Sequence, residues 1–125
     1  MISIIVASLL FIFAAAFGST LIMKELSLTK EEAVEISRNS ATVQEWMEGS
    51  DRYVLEVGYL NSTQVNRARE DSPEKYGYYP ANNGIWIVNW YIHPKDALSA
   101  VAIVIGQEID EQTGQILFED LGALR

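Results

Sequence analysis

Apolar residues fill the start of the chain, with no charged position between residues 2 and 23. A helix of about 22 residues is about 33 Å long, which matches the roughly 30 Å hydrocarbon core of a bilayer. The pattern predicts an N-terminal hydrophobic helix, either a membrane anchor or a signal peptide cleaved near Ala16 or Gly18. Because no Lys or Arg precedes the run, a retained anchor is favoured. The remainder is then predicted to lie outside the cytoplasm, on the cell membrane or secreted.

After a short linker, residues 24–27, the pattern changes to one apolar residue every three or four positions. Thr29 and Glu32 have the spacing of a capping box, which marks the start of a helix. A second possible capping box begins at Thr42. The pattern predicts two short helices, at residues 30–38 and 42–48, separated by a bend at Asn39–Ser40.

Alternating apolar and polar residues then predict four antiparallel strands, at residues 52–60, 84–92, 101–109 and 115–118. The polar segment 61–83 is predicted to be a long loop, and residues 121–125 a tail. His93–Pro94 is predicted to stop the second strand, because proline cannot donate to a ladder. The fold class is therefore α+β: the hydrophobic helix, then a bent amphipathic helix packed on an antiparallel sheet of about four strands.

The connection between the last two strands has the composition of a tight turn. Asp110 can accept backbone N–H bonds within it, and Thr113 can brace it. Gly114 stands where a positive φ is needed. These three residues are predicted to be structural.

Charge and composition exclude several classes of function. The net charge is −8, and every charged side chain lies beyond Met23. That acidity argues against nucleic acid, which requires clustered Lys and Arg. The chain has no cysteine, so disulfide frameworks and thiolate metal sites are excluded.

Three stretches together resemble the PepSY domain family, known from propeptides of thermolysin-like metalloproteases and from cell-envelope proteins. They are "LTKEEAVEIS" at 28–37, "GIWIVNWYI" at 84–92 and "VAIVIGQEIDEQTGQIL" at 101–117. The last resembles the closing hairpin of that family. The resemblance implies a PepSY-like domain over residues 28–120 that binds or modulates a peptidase or another envelope protein.

No residue constellation indicates catalysis, a metal site or a cofactor, so the chain is predicted not to be an enzyme. His93 is the single imidazole and is interpreted as a turn residue, since no nucleophile motif surrounds it. Glu108 and Asp110 point to the same strand face and are interpreted as solvated acids beside a turn. A calcium loop starting at Asp110 would lack most of its oxygen ligands.

The aromatic residues fall into two groups. Trp46, Trp86 and Trp90 are predicted to pack in the core. Tyr76, Tyr78 and Tyr79 lie in a segment punctuated by Gly and Pro, where they either contact a partner or fold back over the sheet edge. Asn61 begins a glycosylation sequon, Asn61-Ser62-Thr63, which matters only in a host that glycosylates exported proteins.

The leading hypothesis is a membrane-tethered or secreted PepSY-like binding module that acts through the 61–83 segment and exposed strand edges. The partners predicted are the membrane, through residues 2–23, and an envelope protein or peptidase. One alternative is a module that binds a small apolar ligand beside Trp86 and Trp90. Another is a cystatin-like protease inhibitor, although the Gln-x-Val-x-Gly hairpin of that family is missing after Gln107.

Overall fold

The computed structural model describes residues 27–95 and 101–124. The predicted hydrophobic helix at 2–23, the cleavage positions Ala16 and Gly18, and nearly all of the linker lie outside these residues. Within them, no helix has both the length and the apolar character that crossing a membrane requires. The described part is α+β, as predicted: helices combined with a four-stranded antiparallel sheet.

Two short helices open the described part, α1 (Lys30–Arg38) and α2 (Ala41–Glu48). The capping box at the start of α1 is confirmed: Thr29 Oγ1 accepts the Glu32 N–H (3.2 Å), and Glu32 Oε1 accepts the Thr29 N–H (2.9 Å). The predicted break between the helices is also confirmed. The cap of α2 is Ser40 rather than Thr42, because the Ser40 hydroxyl reaches the third N–H of that helix.

Four strands form an antiparallel meander in the order in which they occur in the sequence. They are β1 (Ser50–Leu60), β2 (Ile85–Pro94), β3 (Ala102–Asp110) and β4 (Ile116–Leu124). The prediction that residues 121–125 form a tail was wrong, since residues 121–124 pair with β3. Nor does β2 stop before His93–Pro94: Pro94 is its last residue, and a strand end tolerates the missing donor.

The segment 61–83 is not the long loop that its polarity suggested. It contains α3 (Ser62–Asp71) and the short α4 (Pro73–Tyr76). A second true capping box starts α3, in which Asn61 and Gln64 exchange side-chain and backbone hydrogen bonds. Only Val65 is completely buried in this helix, so its sequence carries almost no apolar periodicity. That is the physical reason why the helix was missed.

Helices pack on both faces of the sheet, and each face has its own core. The face under α1 and α2 holds Ala33, Val43, Val88, Trp90, Ile92, Ile105 and Ile109. The face under α3 and α4 holds a smaller cluster of Val65, Tyr79 and Ile85, with Leu60, Tyr76, Ile87 and Leu117 beside it. The second face is covered only in part, and Val54 there is 56% exposed. Burial on both sides sets the positions of α3, α4 and the tyrosines.

Candidate interaction surface

The chain from Ser62 to Tyr79, here called the tyrosine platform, is fixed to the second face of the sheet. Its apolar attachment consists of Val65 and Tyr79, which are 0% and 5% exposed and pack with Ile85. Burying large apolar side chains of this kind is worth roughly 1.5–3 kcal/mol each. The platform is therefore a packed part of the fold.

Arg69 ties the C-terminal part of the platform to α3. Its guanidinium donates to the carbonyl oxygens of Tyr76 (Nε, 3.2 Å) and Tyr79 (Nη2, 2.6 Å). It also donates to Asn66 Oδ1 on its own helix (Nη1, 2.8 Å). A charged donor satisfying two turn carbonyls fixes the path of residues 76–79 relative to α3. No sequence pattern indicated this role for Arg69.

A buried carboxylate attaches the platform to β3. Tyr79 Oη donates to Glu108 Oε1 (2.7 Å), and Lys75 Nζ donates to Glu108 Oε2 (2.9 Å). Glu108 is 8% exposed, so it is not the solvated acid that the sequence suggested. Burial and then the hydrogen bond to Glu108 raise the pKa of Tyr79. Burial opposes the charge of Lys75, but the interactions with Glu108 and Tyr76 together outweigh it and raise the pKa of that ammonium.

The three tyrosines have three different environments. Tyr79 is folded back against the sheet, and Tyr76 packs edge-on against it with ring centroids 4.9 Å apart. The Lys75 ammonium lies 4.8 Å from the centroid of Tyr76 and 4.1 Å from that of Phe118 on β4. Tyr78 is 89% exposed. Tyr78 is thus exposed to solvent, whereas its neighbours Tyr76 and Tyr79 are held in place by packing and hydrogen bonds.

The turn between β3 and β4 has the structural roles predicted for it. Asp110 Oδ2 accepts the N–H groups of Gln112 (3.2 Å) and Thr113 (2.8 Å), and Thr113 Oγ1 accepts that of Gln115 (3.1 Å). Gly114 has a φ of +77°. Asp110 is completely buried, which corrects its interpretation as a solvated acid.

Asp110 and Glu108 both lie on β3, but they accept hydrogen bonds from different residues. Asp110 Oδ1 and Oδ2 accept from Asn83 Nδ2, at 3.0 and 3.3 Å. Each acid thus has its own hydrogen-bond partners within the fold. Among residues 27–95 and 101–124, no three His, Cys, Asp or Glu side chains lie close enough together to hold a metal ion.

The tryptophans contribute to the larger core to different degrees. Trp90 is completely buried, whereas Trp46 and Trp86 are partly buried and pack against the cluster around it. Trp90 Nε1 donates to Ser37 Oγ (2.7 Å), and Trp86 Nε1 donates to the carbonyl of Leu28 (3.0 Å). The prediction that the tryptophans pack in the core therefore holds most fully for Trp90.

A polar network that the sequence reading missed crosses this core. Ser37 Oγ donates to Gln107 Oε1 (2.5 Å), and Gln107 Nε2 donates to Ser40 Oγ (3.0 Å) and Glu119 Oε1 (3.1 Å). Gln107 is 0% exposed. The available signal was its position in β3, where the alternation places a polar residue among the inward-facing isoleucines. Its full set of partners explains why it is tolerated there.

Two further sequence-derived candidates have local roles. His93 lies within β2 rather than in a turn, and its buried Nδ1 makes no hydrogen bond to the described residues. Asn61 uses its side-chain oxygen as the cap of α3. A shallow hollow of about 260 Å³ lies away from the platform, lined by Glu45, Trp46, Gly49 and Pro94.

Comparisons of the chain with protein-family models, with curated protein sequences and with solved structures gave no match. The PepSY resemblance therefore stays a prediction that depends on the three stretches quoted above. Within the described residues, the surface feature with the clearest potential for contact is the tyrosine platform.

Proposed function

We propose that this chain is a non-enzymatic, PepSY-like binding module that acts outside the cytoplasm. Residues 2–23 tether it to the membrane, or cleavage near Ala16 or Gly18 releases it. Its partner is a peptidase or another protein of the cell envelope, which it modulates by surface contact. The acidic charge of the chain, −8 overall, is consistent with a domain that stays off anionic lipid and nucleic acid.

The observation that carries the proposal is the exposure of Tyr78 on a fixed support. Tyr78 is 89% exposed, whereas its neighbour Tyr79 is 5% exposed and donates a hydrogen bond to Glu108. Tyrosine is enriched among the residues that dominate binding energy at protein interfaces. A residue whose support is already ordered loses less conformational entropy on binding than one in a mobile loop. The exposure of Tyr78 on an ordered support therefore favours a role for it in contact with a partner.

Site-specific photo-crosslinking of the full-length chain tests the proposal. A benzophenone amino acid replaces Tyr78, or replaces the exposed Glu48 on α2 as the control position, in cells that naturally produce the protein. Illumination is expected to give a specific product at position 78 and none at position 48. Mass spectrometry is expected to identify a peptidase or another envelope protein in that product.

Three outcomes of the crosslinking experiment would overturn the proposal. One is an absence of product at position 78, and another is the same set of products at both positions. The third is a cytoplasmic partner, which would contradict the predicted location. A peptidase identified at position 78 is then assayed with the wild-type chain and with Tyr78→Ala, and modulation that Tyr78→Ala does not weaken contradicts the contact role.

A further inference from the structure

The outer edge of β4 is a second surface available for binding. Among residues 27–95 and 101–124, the strand paired with β4 is β3, so β4 is an edge of the sheet. Phe118, Leu121 and Leu124 are 37%, 51% and 53% exposed. The unpaired N–H and C=O groups of an edge strand are a template on which another strand can form.

The sequence of β4 carries two charged residues, Glu119 and Asp120, but little of the other protection that is usual at an edge. Natural edges are blunted by lysine, proline, bulges or short length. The segment Ile116–Leu124, "ILFEDLGAL", contains no Lys, Arg or Pro. Its bulge lies at one end, opposite Glu108 and Ile109, so the remainder pairs regularly with β3. The strand has 9 residues, longer than the roughly 5–6 that are typical.

Two neighbouring acids in the middle of β4 decide what can pair there. Glu119 lies opposite Gln107, on the face under α1 and α2, and it accepts hydrogen bonds from Gln107 and Thr42. Asp120 lies opposite Gly106 and so faces the other way. Each face of the edge therefore presents one carboxylate beside one exposed apolar side chain. Glu119 lies beside Leu121 on one face, and Asp120 lies beside Phe118 on the other.

This arrangement disfavours a second copy of the chain. In an antiparallel pairing of two β4 strands about a two-fold axis at Glu119 or at Asp120, that carboxylate lies opposite its own copy. Like charges directly opposite each other on paired strands are destabilising. The net charge of −8 adds repulsion between whole chains. Charge complementarity points instead to a basic strand.

We propose that the edge of β4 binds an extended basic peptide segment as an added antiparallel strand. Opposite Phe118-Glu119-Asp120-Leu121, the partner carries two adjacent Lys or Arg residues between two apolar residues. The backbone ladder supplies affinity, and the two acids select the basic pair. The proposal extends the proposed binding function to a partner class, but it requires no contact with Tyr78.

A designed peptide tests this edge directly. The probe is fluorescently labelled Val-Thr-Thr-Val-Lys-Lys-Val-Thr-Thr, and the matched control has Glu-Glu in place of Lys-Lys. Fluorescence anisotropy measures binding to the full-length chain in neutral detergent micelles. The Lys-Lys peptide is expected to bind about tenfold more tightly, since each opposed charge pair is worth roughly 0.2–1 kcal/mol.

Charge reversal and hydrogen exchange locate the binding. Asp120→Lys is expected to lose most of the Lys-Lys preference and to gain binding of the Glu-Glu peptide. Glu48→Lys, an exposed position at the end of α2, is the control and is expected to leave the preference unchanged. Bound peptide is expected to slow amide exchange in residues 116–124.

The proposal is overturned if neither peptide binds, if both bind equally, or if protection appears elsewhere. It is also overturned if the free chain is a dimer with a protected β4, because a second copy would then be the occupant. None of these outcomes changes the crosslinking result at Tyr78. The failure of this proposal can therefore be distinguished from the failure of the proposed function.

Discussion

At the residue scale, Glu108 is the side chain on which the tyrosine platform depends most. It is buried on β3, and each of its carboxylate oxygens accepts a hydrogen bond, one from Tyr79 and the other from Lys75. The two interactions tie α4 and the turn after it to the sheet. A buried charge is stable only while its partners stay in place, so changes here should affect the whole platform.

Glu108→Gln is expected to destabilise the protein by about 1–3 kcal/mol, because Lys75 loses its counter-charge in a partly buried site. Urea unfolding measures the change. Glu56→Gln is the matched control, since Glu56 is bonded to Tyr91 in an exposed pair, and it should cost less than about 0.5 kcal/mol. Equal losses for the two variants would contradict the role of Glu108.

Raised pKa values at this site and at Tyr59 predict how the stability of the protein depends on pH. Burial and Glu108 raise the pKa of Tyr79, and burial and Glu111 raise the pKa of Tyr59 to about 12. The folded state therefore holds these protons more tightly than the unfolded state. The stabilisation is complete below the unfolded value of about 10 and is lost as pH rises through the folded values. The raised pKa of Lys75 acts in the same direction.

The free energy of unfolding is therefore expected to fall steadily above about pH 10. Tyr79→Phe should make that fall shallower, and Tyr78→Phe, at an exposed position, should leave its slope unchanged. Urea unfolding at a series of alkaline pH values measures both slopes. A fall of equal steepness in the two variants would show that Tyr79 does not hold its proton in the fold.

At the scale of elements, the turn between β3 and β4 fixes where α1 begins. Gly114 has a φ of +77°, and a Cβ there would lie 3.0 Å from Ile36 Cδ1 and 3.6 Å from Leu28 Cδ1. The Leu28 N–H also donates to the carbonyl of Glu111 (2.9 Å). The hairpin therefore closes one end of the sheet and supports the start of the first described helix.

Gly114→Ala is expected to cost about 1–2 kcal/mol, because a side chain in the left-handed region is strained and here also crowds Ile36. Gly122→Ala is the control. Apart from its chain neighbours, no atom of residues 27–95 and 101–124 lies within 4 Å of a Cβ at that position, and the change should stay within about 0.5 kcal/mol. Thermal unfolding of both variants checks the difference, and a neutral Gly114→Ala would contradict the account of the turn.

The elements that sequence could predict are those with a strong local signal. The capping box at Thr29 and Glu32 and the alternation of β2 and β3 specify their structures almost alone. By contrast, α3 buries only Val65 completely, and its stability depends on capping and on contact with the sheet. A helix that depends on tertiary contact leaves little periodicity to read.

The candidate site was harder to predict for the same reason. The tyrosines could be identified from the sequence, but which of them faces solvent depends on Glu108 and Arg69, 29 and 10 positions away from Tyr79. Gln107 is similar, because its partners come from α1, the cap of α2 and β4. A local sequence pattern cannot indicate hydrogen-bond partners that only folding brings together.

At the scale of the whole molecule, the sheet carries a complete core on one face and a smaller one on the other. The first core contains Trp90 and is the larger of the two. The second attaches the tyrosine platform and leaves the edge of β4 uncovered. Tyr78 and Asp120 are both exposed, so changes at either residue should leave the fold intact.

The most direct test of this account is amide hydrogen exchange on the full-length chain without a partner. If the tyrosine platform is a folded part of the domain, residues 65–71 and Tyr79 should exchange slowly, and Glu108→Gln should accelerate them while β2 and β3 stay protected. Exchange of residues 62–79 at the rate of an unfolded chain would contradict the account. Tyr78 would then lie in a mobile loop, without the ordered support on which the proposed function depends.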